Sequence, residues 1–469
     1  MKTSMALVCA LCSLAAAAAE PHQAMGVKVG EVTATSAVVW TRVTRETARN
    51  NQGVVISGRV KKADPKPVTV PVDQLEGACP GAAGRVRVRY GTRADLSDAI
   101  STEWADVNAD SDFVHQFALT GLKAGTVYHY ATETTGPNGT PQHGSFRGNF
   151  ATAPDPKSPS SLRFCVMTCQ GYHDRDHPDG HNIYPSMLAL SPQFVSMTGD
   201  LVYYDSNEPR AVSPRLARYH WERMFSLPRI VELTRNVSTY WLKDDHDTVS
   251  DDSWPGMKMG ELTWEEGLKI NRQQTPHSDK PYRTFRWGRD LQIWLSDGRD
   301  YRSSNRTPDG PEKTIWGQEQ KEWFFRTVAE SDATWKVLIS PTPIVGPDRM
   351  AKNDNHANSG FQHEGDEIRN WLKAHVPESF FVLCGDRHWQ YHSVHPQTGL
   401  NEFSVGPASD EHAGGTPGED PQYHRFHRVK GGFLSVTLTP NAERSTILFE
   451  HRDVLGKVVY AWSKTRAAQ

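Results

Sequence analysis

The stretch Phe194-Val195-Ser196-Met197-Thr198-Gly199-Asp200-Leu201-Val202-Tyr203-Tyr204-Asp205 begins as a short apolar run and then turns polar at Gly-Asp. Such a run is typical of a buried parallel strand, which delivers the polar residue after it to the carboxyl edge of the sheet. Glycine before the carboxylate lets the backbone turn sharply there. The stretch therefore predicts an α/β sheet with Asp200 in its functional site.

Three further stretches have polar side chains directly after an apolar run: Phe164-Cys165-Val166-Met167-Thr168-Cys169-Gln170, Tyr240-Trp241-Leu242-Lys243-Asp244-Asp245-His246-Asp247 and Phe380-Phe381-Val382-Leu383-Cys384-Gly385-Asp386-Arg387-His388. Ligand sites in open α/β sheets lie beyond the carboxyl ends of the strands. The four stretches together offer carboxylates, two imidazoles, a thiol and a phenol. We interpret this set as a binuclear metal site on the loops after four strands.

Length and charge limit the classes of protein and partner. A chain of 469 residues favours two domains. The formal charge of −3 gives no basic field over the whole protein, so neither nucleic acid nor an acidic lipid surface is favoured as a partner. Nothing in the sequence indicates an oligomeric state.

The N-terminus has the pattern of a secretory signal peptide over residues 1–19, with Lys2 before a short apolar run and cleavage near Ala19. The run is too short to span a membrane, so we expect a secreted or periplasmic protein without a stable membrane anchor. Four cysteines remain after cleavage, which is too few for a disulfide scaffold. Cys165 and Cys384 lie inside strand runs as small buried hydrophobes, whereas Cys169 follows a strand and suits a metal-binding thiolate.

The composition predicts two domains. Residues 24–153 contain short alternating runs between turn residues, which predict an all-β sandwich. Residues 154–161 are rich in proline and serine and form a linker. Residues 162–469 alternate strand and helix patterns, which predict an α/β sandwich. The phrase Leu119-Thr120-Gly121-Leu122-Lys123-Ala124-Gly125-Thr126-Val127-Tyr128-His129-Tyr130 in the first domain resembles fibronectin type III-like domains.

The order of the motifs carries a family resemblance. Gly199-Asp200, Asp245-His246 and Gly385-Asp386-Arg387-His388 together resemble the calcineurin-like metallophosphoesterase superfamily. Thr168-Cys169-Gln170, Tyr203 three residues after Asp200, and aspartate at 245 and 386 resemble its alkaline phosphatase D (PhoD-like) family more specifically. Residues 295–303 resemble another element of that family. The resemblance extends over residues 27–460 and implies a metallophosphatase domain after a fibronectin III-like domain.

The resemblance also implies the metal ligands. Cys169, Asp200, Tyr203 and His388 would hold ferric iron (Fe3+), which anionic sulfur and phenol donors stabilise. Asp200 would be shared by both metals and would hold calcium (Ca2+) together with Asp245 and Asp386, because hard oxygen donors suit that ion. Zinc (Zn2+) and manganese (Mn2+) are the alternative ions.

The implied activity is that of an exported phosphoric ester hydrolase, a phosphomonoesterase or phosphodiesterase, in which a metal-bound hydroxide attacks phosphorus. His246 would act as general acid toward the leaving alkoxide. Arg299 is a candidate for holding phosphate oxygens and Arg387 a weaker one. The residues leave open a covalent Ser or Thr intermediate, and also an exported phosphate- or glycan-binding protein with a degenerate catalytic domain.

Two groups of polar residues are interpreted as supporting structure. Asp244 and Asp247 are predicted to cap or support ligands without binding metal. Residues 172–181 contain three histidines and three aspartates, but proline and glycine interrupt them, so we expect a solvated loop beside the cleft.

Overall fold

The structure is a computed structural model that describes residues 22–58, 66–137, 139, 142–277, 280–349 and 351–468. The predicted signal peptide, residues 1–19, lies outside them. No helix within these ranges has both the length and the apolar character needed to cross a membrane.

The N-terminal part of the chain is made of strands, as its alternating runs predict. Their bounds are β1 (Val27–Gly30), β2 (Ser36–Arg42), β3 (Gly84–Gly91), β4 (Ile100–Ser101), β5 (Ala105–Val107), β6 (Val114–Thr120), β7 (Val127–Thr135) and β8 (Gln142–Ala151). Residues 154–161, the predicted linker, contain no helix or strand. The division of the chain there stays a prediction.

The rest of the chain alternates strands and helices. In order these are β9 (Leu162–Met167), α1 (Ile183–Ala189), β10 (Phe194–Thr198), α2 (Pro214–Phe225), α3 (Pro228–Asn236), β11 (Ser238–Leu242), β12 (Lys258–Met259), β13 (Leu262–Thr263), α4 (Trp264–Gln274), β14 (Arg283–Trp287), β15 (Leu291–Leu295), α5 (Gly317–Glu330), β16 (Trp335–Ser340), α6 (Gln362–His375), β17 (Phe380–Cys384), β18 (Gln390–Val394), β19 (Asn401–Ser404), β20 (His424–Arg428), β21 (Phe433–Pro440), β22 (Arg444–Arg452) and β23 (Val458–Ala467).

Two large mixed sheets form the centre of the molecule. One has the order β23-β22-β21-β9-β10-β11-β1-β2-β6 and the other β14-β15-β16-β17-β19-β18-β20. Aromatic side chains of both sheets, such as Phe194 and Phe381, share one buried core. Alternate residues of β10, such as Val195, pack with α1–α3 in a second core, and α5 and α6 pack on the second sheet in a third. The α/β sandwich is present as predicted.

The N-terminal strands differ from the predicted separate sandwich. A separate sheet is formed by β3, β4, β5, β7 and β8. The large nine-stranded sheet contains the other three, β1, β2 and β6. Strand β1 pairs in parallel with β11 and so extends the large sheet. Lys28 of β1 is fully buried, donates to the carbonyl of Gln274 at 2.6 Å and lies 3.8 Å from the ring centre of Trp40. A likeness to fibronectin type III domains stays a prediction.

The turn after β10 needs glycine at position 199. Gly199 has a φ of +90°, and a Cβ atom there would lie 2.6 Å from the Cβ of Asp244. Gly199→Ala should therefore lower the free energy of unfolding by about 1–3 kcal/mol, measured by denaturant titration. Gly256→Ala is the matched control, since Gly256 has a φ of +88° and its added Cβ would meet nothing within 4 Å. Equal losses for the two variants would contradict the steric explanation.

Candidate metal centre

The donors predicted for the first metal lie together. Cys169, Asp200 and His388 each offer one ligand atom within 4.8 Å of the others. Sγ of Cys169 is 3.4 Å from Oδ2 of Asp200, and Oη of Tyr203 is 3.1 Å from the same oxygen. These four side chains follow the ends of β9, β10 and β17, and the structure brings them together as the strand-end rule predicts.

Asp200 also belongs to two further groups. It converges within 4.8 Å with Asp245 and His246, and again with Asp244 and Asp386. The carboxylate of Asp200 thus lies between the donors predicted for the first metal and those predicted for the second.

Three of these residues have strained backbones. The φ angles are 51° at Cys169, 55° at Asp200 and 61° at Asp386, all in the left-handed region. Each costs on the order of 1 kcal/mol or more for a residue with a side chain, and such strain concentrates at functional sites. The turns aim three side chains from different strands at one place.

Negative charge is concentrated at the centre. Burial, together with the nearby carboxylates of Asp245 and Asp244, raises the pKa of Asp200 well above its ordinary value. Burial likewise raises the pKa of Asp247 to about 7, and burial and the charge of Asp200 raise the pKa of the Cys169 thiol. Within the described part of the chain, Oδ1 of Asp200 is buried without a hydrogen-bond partner. This donor set therefore fits metal cations, which would neutralise the charge and occupy that oxygen.

The two arginines predicted to hold phosphate, Arg299 and Arg387, lie behind the carboxylates and are fully buried. Nε of Arg299 donates to Oδ1 of Asp244 at 2.5 Å, and Nη2 is 3.7 Å from Oδ1 of Asp245. Arg387 pairs with Asp348 and contacts Asp386. Both guanidinium groups thus contact carboxylates of the centre or its surroundings, and their predicted contact with phosphate stays a prediction.

The supporting role predicted for Asp247 agrees with its contacts. Its carboxylate accepts hydrogen bonds from the backbone N–H of Leu201 at 3.1 Å and of Asp244 at 2.7 Å. It thereby ties the turn after β10 to the turn after β11.

His246 lies at the edge of the centre. Its Nδ1 is 2.7 Å from Oδ1 of Asp205, and its ring centre is 4.4 Å from that of Tyr203. Burial alone would lower the pKa of His246, but the charges of Asp205, Asp245 and Asp200 raise it well above its ordinary value. The strand-end motifs do not identify Asp205 as a site residue, although it ends the stretch that contains Asp200.

A cleft of about 770 Å³ lies beside the centre, and its lining includes Tyr203, Asp205, His246, Asp386 and His388. Its wall includes side chains that no strand-end motif identifies: Arg210, Asp251, Arg349, Lys352, Trp389 and His412.

Residues 172–181 are less exposed than predicted. Tyr172 and His181 are buried, and Asp174 contacts His412. Pro178 and Asp179 are the exposed residues of the tract, and the side-chain exposures are 38% for His177 and 58% for Asp179. Proline and glycine interrupt the tract as expected, but the loop folds back against the centre. The prediction of a solvated loop is therefore wrong for its ends.

Comparison with known families agrees with the motif order. A family model described as PhoD-like phosphatase matches residues 164–430, and one described as PhoD-like phosphatase, N-terminal domain, matches residues 8–154. The chain belongs to the PhoD-like phosphatase family. This confirms the family inferred from Cys169, Tyr203 and the two aspartates.

A curated relative of this PhoD-like phosphatase is alkaline phosphatase D of Bacillus subtilis (strain 168), 26% identical over 129 residues. The match covers 23% of this chain and 21% of the relative's length. A solved structure of PhoD has a TM-score of 0.71 at 16% identity, covering 95% of this chain and 90% of that one. Purple acid phosphatase PPD1 from yellow lupin (Lupinus luteus) seeds has a TM-score of 0.64 at 13% identity, covering 93% and 73%. These structures share the fold.

Proposed function

We propose that the protein is an exported, metal-dependent phosphoric ester hydrolase of the alkaline phosphatase D type. The observation that carries the proposal is the carboxylate of Asp200, which belongs to three donor groups in a PhoD-like phosphatase. The substrates would be phosphate esters, with the choice between monoesters and diesters open.

Cys169, Asp200, Tyr203 and His388 would hold one metal, and Asp200, Asp245 and Asp386 the other. Fe3+ suits the first set and Ca2+ the second, with Zn2+ and Mn2+ as alternatives. Metals at these positions would supply Lewis acidity, which activates water at neutral pH and stabilises charge on phosphoryl oxygens.

The chain's own groups would handle the proton and hold the ligands in place. His246 lines the cleft, and its contact with Asp205 fixes the ring so that Nε2 faces away from that carboxylate. We assign it the protonation of the leaving oxygen. Arg299 would orient Asp244 and Asp245, because its guanidinium is fully buried against them.

The direct test is to purify the exported protein, determine its metals and assay a panel of phosphomonoesters and phosphodiesters. We expect turnover that a chelator abolishes and added metal restores. Tight phosphate binding without turnover of any ester would favour the alternative, an exported phosphate- or glycan-binding protein. The N-terminal residue of the mature protein tests export, with cleavage expected near Ala19.

A colour test addresses the first metal. A phenolate bound to Fe3+ absorbs visible light by charge transfer, so protein isolated with its native metals should be coloured, and Tyr203→Phe should bleach or shift the band. Tyr204→Phe is the control, because Tyr204 is also buried but its hydroxyl accepts a hydrogen bond from Nε1–H of Trp221, at 2.6 Å. Colourless, fully active protein that contains only zinc would refute iron and leave phosphatase activity standing.

A further inference from the structure

His412 connects two loops beside the metal centre. Its Nδ1 is 2.6 Å from Oδ2 of Asp174, and its Nε2 is 2.9 Å from Oη of Tyr203. The residue is 3% exposed, so water does not compete freely for either nitrogen. Neither Asp174 nor His412 belongs to the predicted ligand set.

The backbone is shaped to allow this contact. A Cβ atom on Gly171 would lie 2.4 Å from Oδ2 of Asp174 and 2.8 Å from Nδ1 of His412. Only glycine leaves room for the pair to approach. In addition, the N–H of Ala408 donates to the carbonyl of Cys169 at 3.1 Å, which holds the loop of His412 against the loop that follows β9.

Hydrogen-bond chemistry indicates which nitrogen of His412 donates to Asp174 and which one faces Tyr203. A carboxylate accepts, so the Nδ1–H of His412 donates to Asp174. Nε2 accepts from the hydroxyl of Tyr203 in the neutral ring, and in the protonated ring its N–H donates to the phenolate that would bind metal. Oη of Tyr203 also lies 3.1 Å from Oδ2 of Asp200. The phenol oxygen of Tyr203 therefore lies between the imidazole of His412 and the carboxylate of Asp200. The ring of Tyr203 lies 5.0 Å from that of His412 and 4.4 Å from that of His246, so its position also affects His246.

We propose that Asp174 and His412 form a positioning pair that fixes the phenol oxygen of Tyr203 at the metal centre. The inference rests on the proposed metal centre and extends it by two residues that the ligand motifs do not contain. The pair acts through Tyr203, and Nε2 of His412 also lies 3.3 Å from Nε2 of His388, so the effect of the pair falls first on metal retention and only then on turnover.

The test compares His412→Ala and Asp174→Asn with the wild type, each purified with its native metals. Loss of metal to excess EDTA is followed by elemental analysis, and the visible band is recorded where the protein is coloured. Partners of a metal ligand typically contribute about 10–100-fold in metal affinity, and we expect His412→Ala to bind its metal more weakly by that factor and to lose it to EDTA sooner than the wild type. The visible band should shift, and His412→Gln, which keeps a polar group, should recover part of the retention.

The control is His177→Ala, in the same loop as Asp174. Its ring is 3.8 Å from the carboxylate of Asp179 in an exposed pair, and we expect metal loss at the wild-type rate. Wild-type retention and an unshifted band in His412→Ala would overturn the positioning pair while leaving the metal centre intact. If His412→Ala does not fold, Asp174→Asn decides by the same two readouts. A wild-type protein without bound metal would instead overturn the metal centre itself.

Discussion

Replacing Asp200 by asparagine should remove most of the bound metal and lower kcat/KM on every phosphate ester by about 10³-fold or more, since several kcal/mol of metal-derived stabilisation is lost. Asp200 belongs to three donor groups, so its loss weakens both predicted metal positions at once. Asparagine is isosteric and tolerates the left-handed φ of 55°, so the fold should survive. Elemental analysis and steady-state kinetics on alkyl and aryl esters measure the effect.

The control for this substitution is Asp106→Asn. The carboxylate of Asp106 has 83% side-chain exposure and contacts Arg85. It should change neither metal content nor turnover. An Asp200→Asn protein that keeps both metals and most of its activity would rule out the shared carboxylate.

His246→Ala should behave differently. It should keep both metals yet lose roughly 10²–10⁴-fold in turnover on alkyl phosphates, whose leaving oxygen must be protonated. The loss should shrink for nitrophenyl phosphate, because a stable phenolate leaves without a proton. Turnover across esters with leaving groups of graded acidity measures the effect.

Asp205→Asn provides a graded comparison. It leaves the imidazole in place but removes the carboxylate 2.7 Å from Nδ1, so its loss should be smaller than that of His246→Ala and should follow the same trend with leaving group. Equal losses for His246→Ala across all leaving groups would mean that His246 does not donate the proton.

The positions proposed to hold metal can be identified in the sequence because each is marked locally. An apolar run followed at once by a polar residue identifies a strand end, and parallel strands bring their ends to one edge of a sheet. Cys169, Asp200, Asp245 and Asp386 all follow this rule. Cys169, Asp200 and Asp386 have left-handed φ angles, and glycine stands directly before Asp200 and Asp386.

The remaining features depend on contacts between distant parts of the chain. Asp174 and His412 are 238 residues apart, and neither is adjacent to a strand end. His412 lies eight residues beyond β19, so extending the strand-end search along the following loop would have included it. The pairing of β1 with β11 and the burial of Arg299 likewise depend on tertiary partners that no local pattern records.

The pairing of β1 with β11 has a consequence for how the molecule unfolds. β11 leads directly into Asp245, and Gly30 of β1 pairs with Thr239 of β11, whose hydroxyl donates to the carbonyl of Val29 at 2.7 Å. Without the N-terminal strands, β11 would become an edge strand with unsatisfied backbone groups, a template for aggregation. The N-terminal strands therefore cover the sheet edge beside the metal centre permanently. Thermal melting should be cooperative across both parts of the chain.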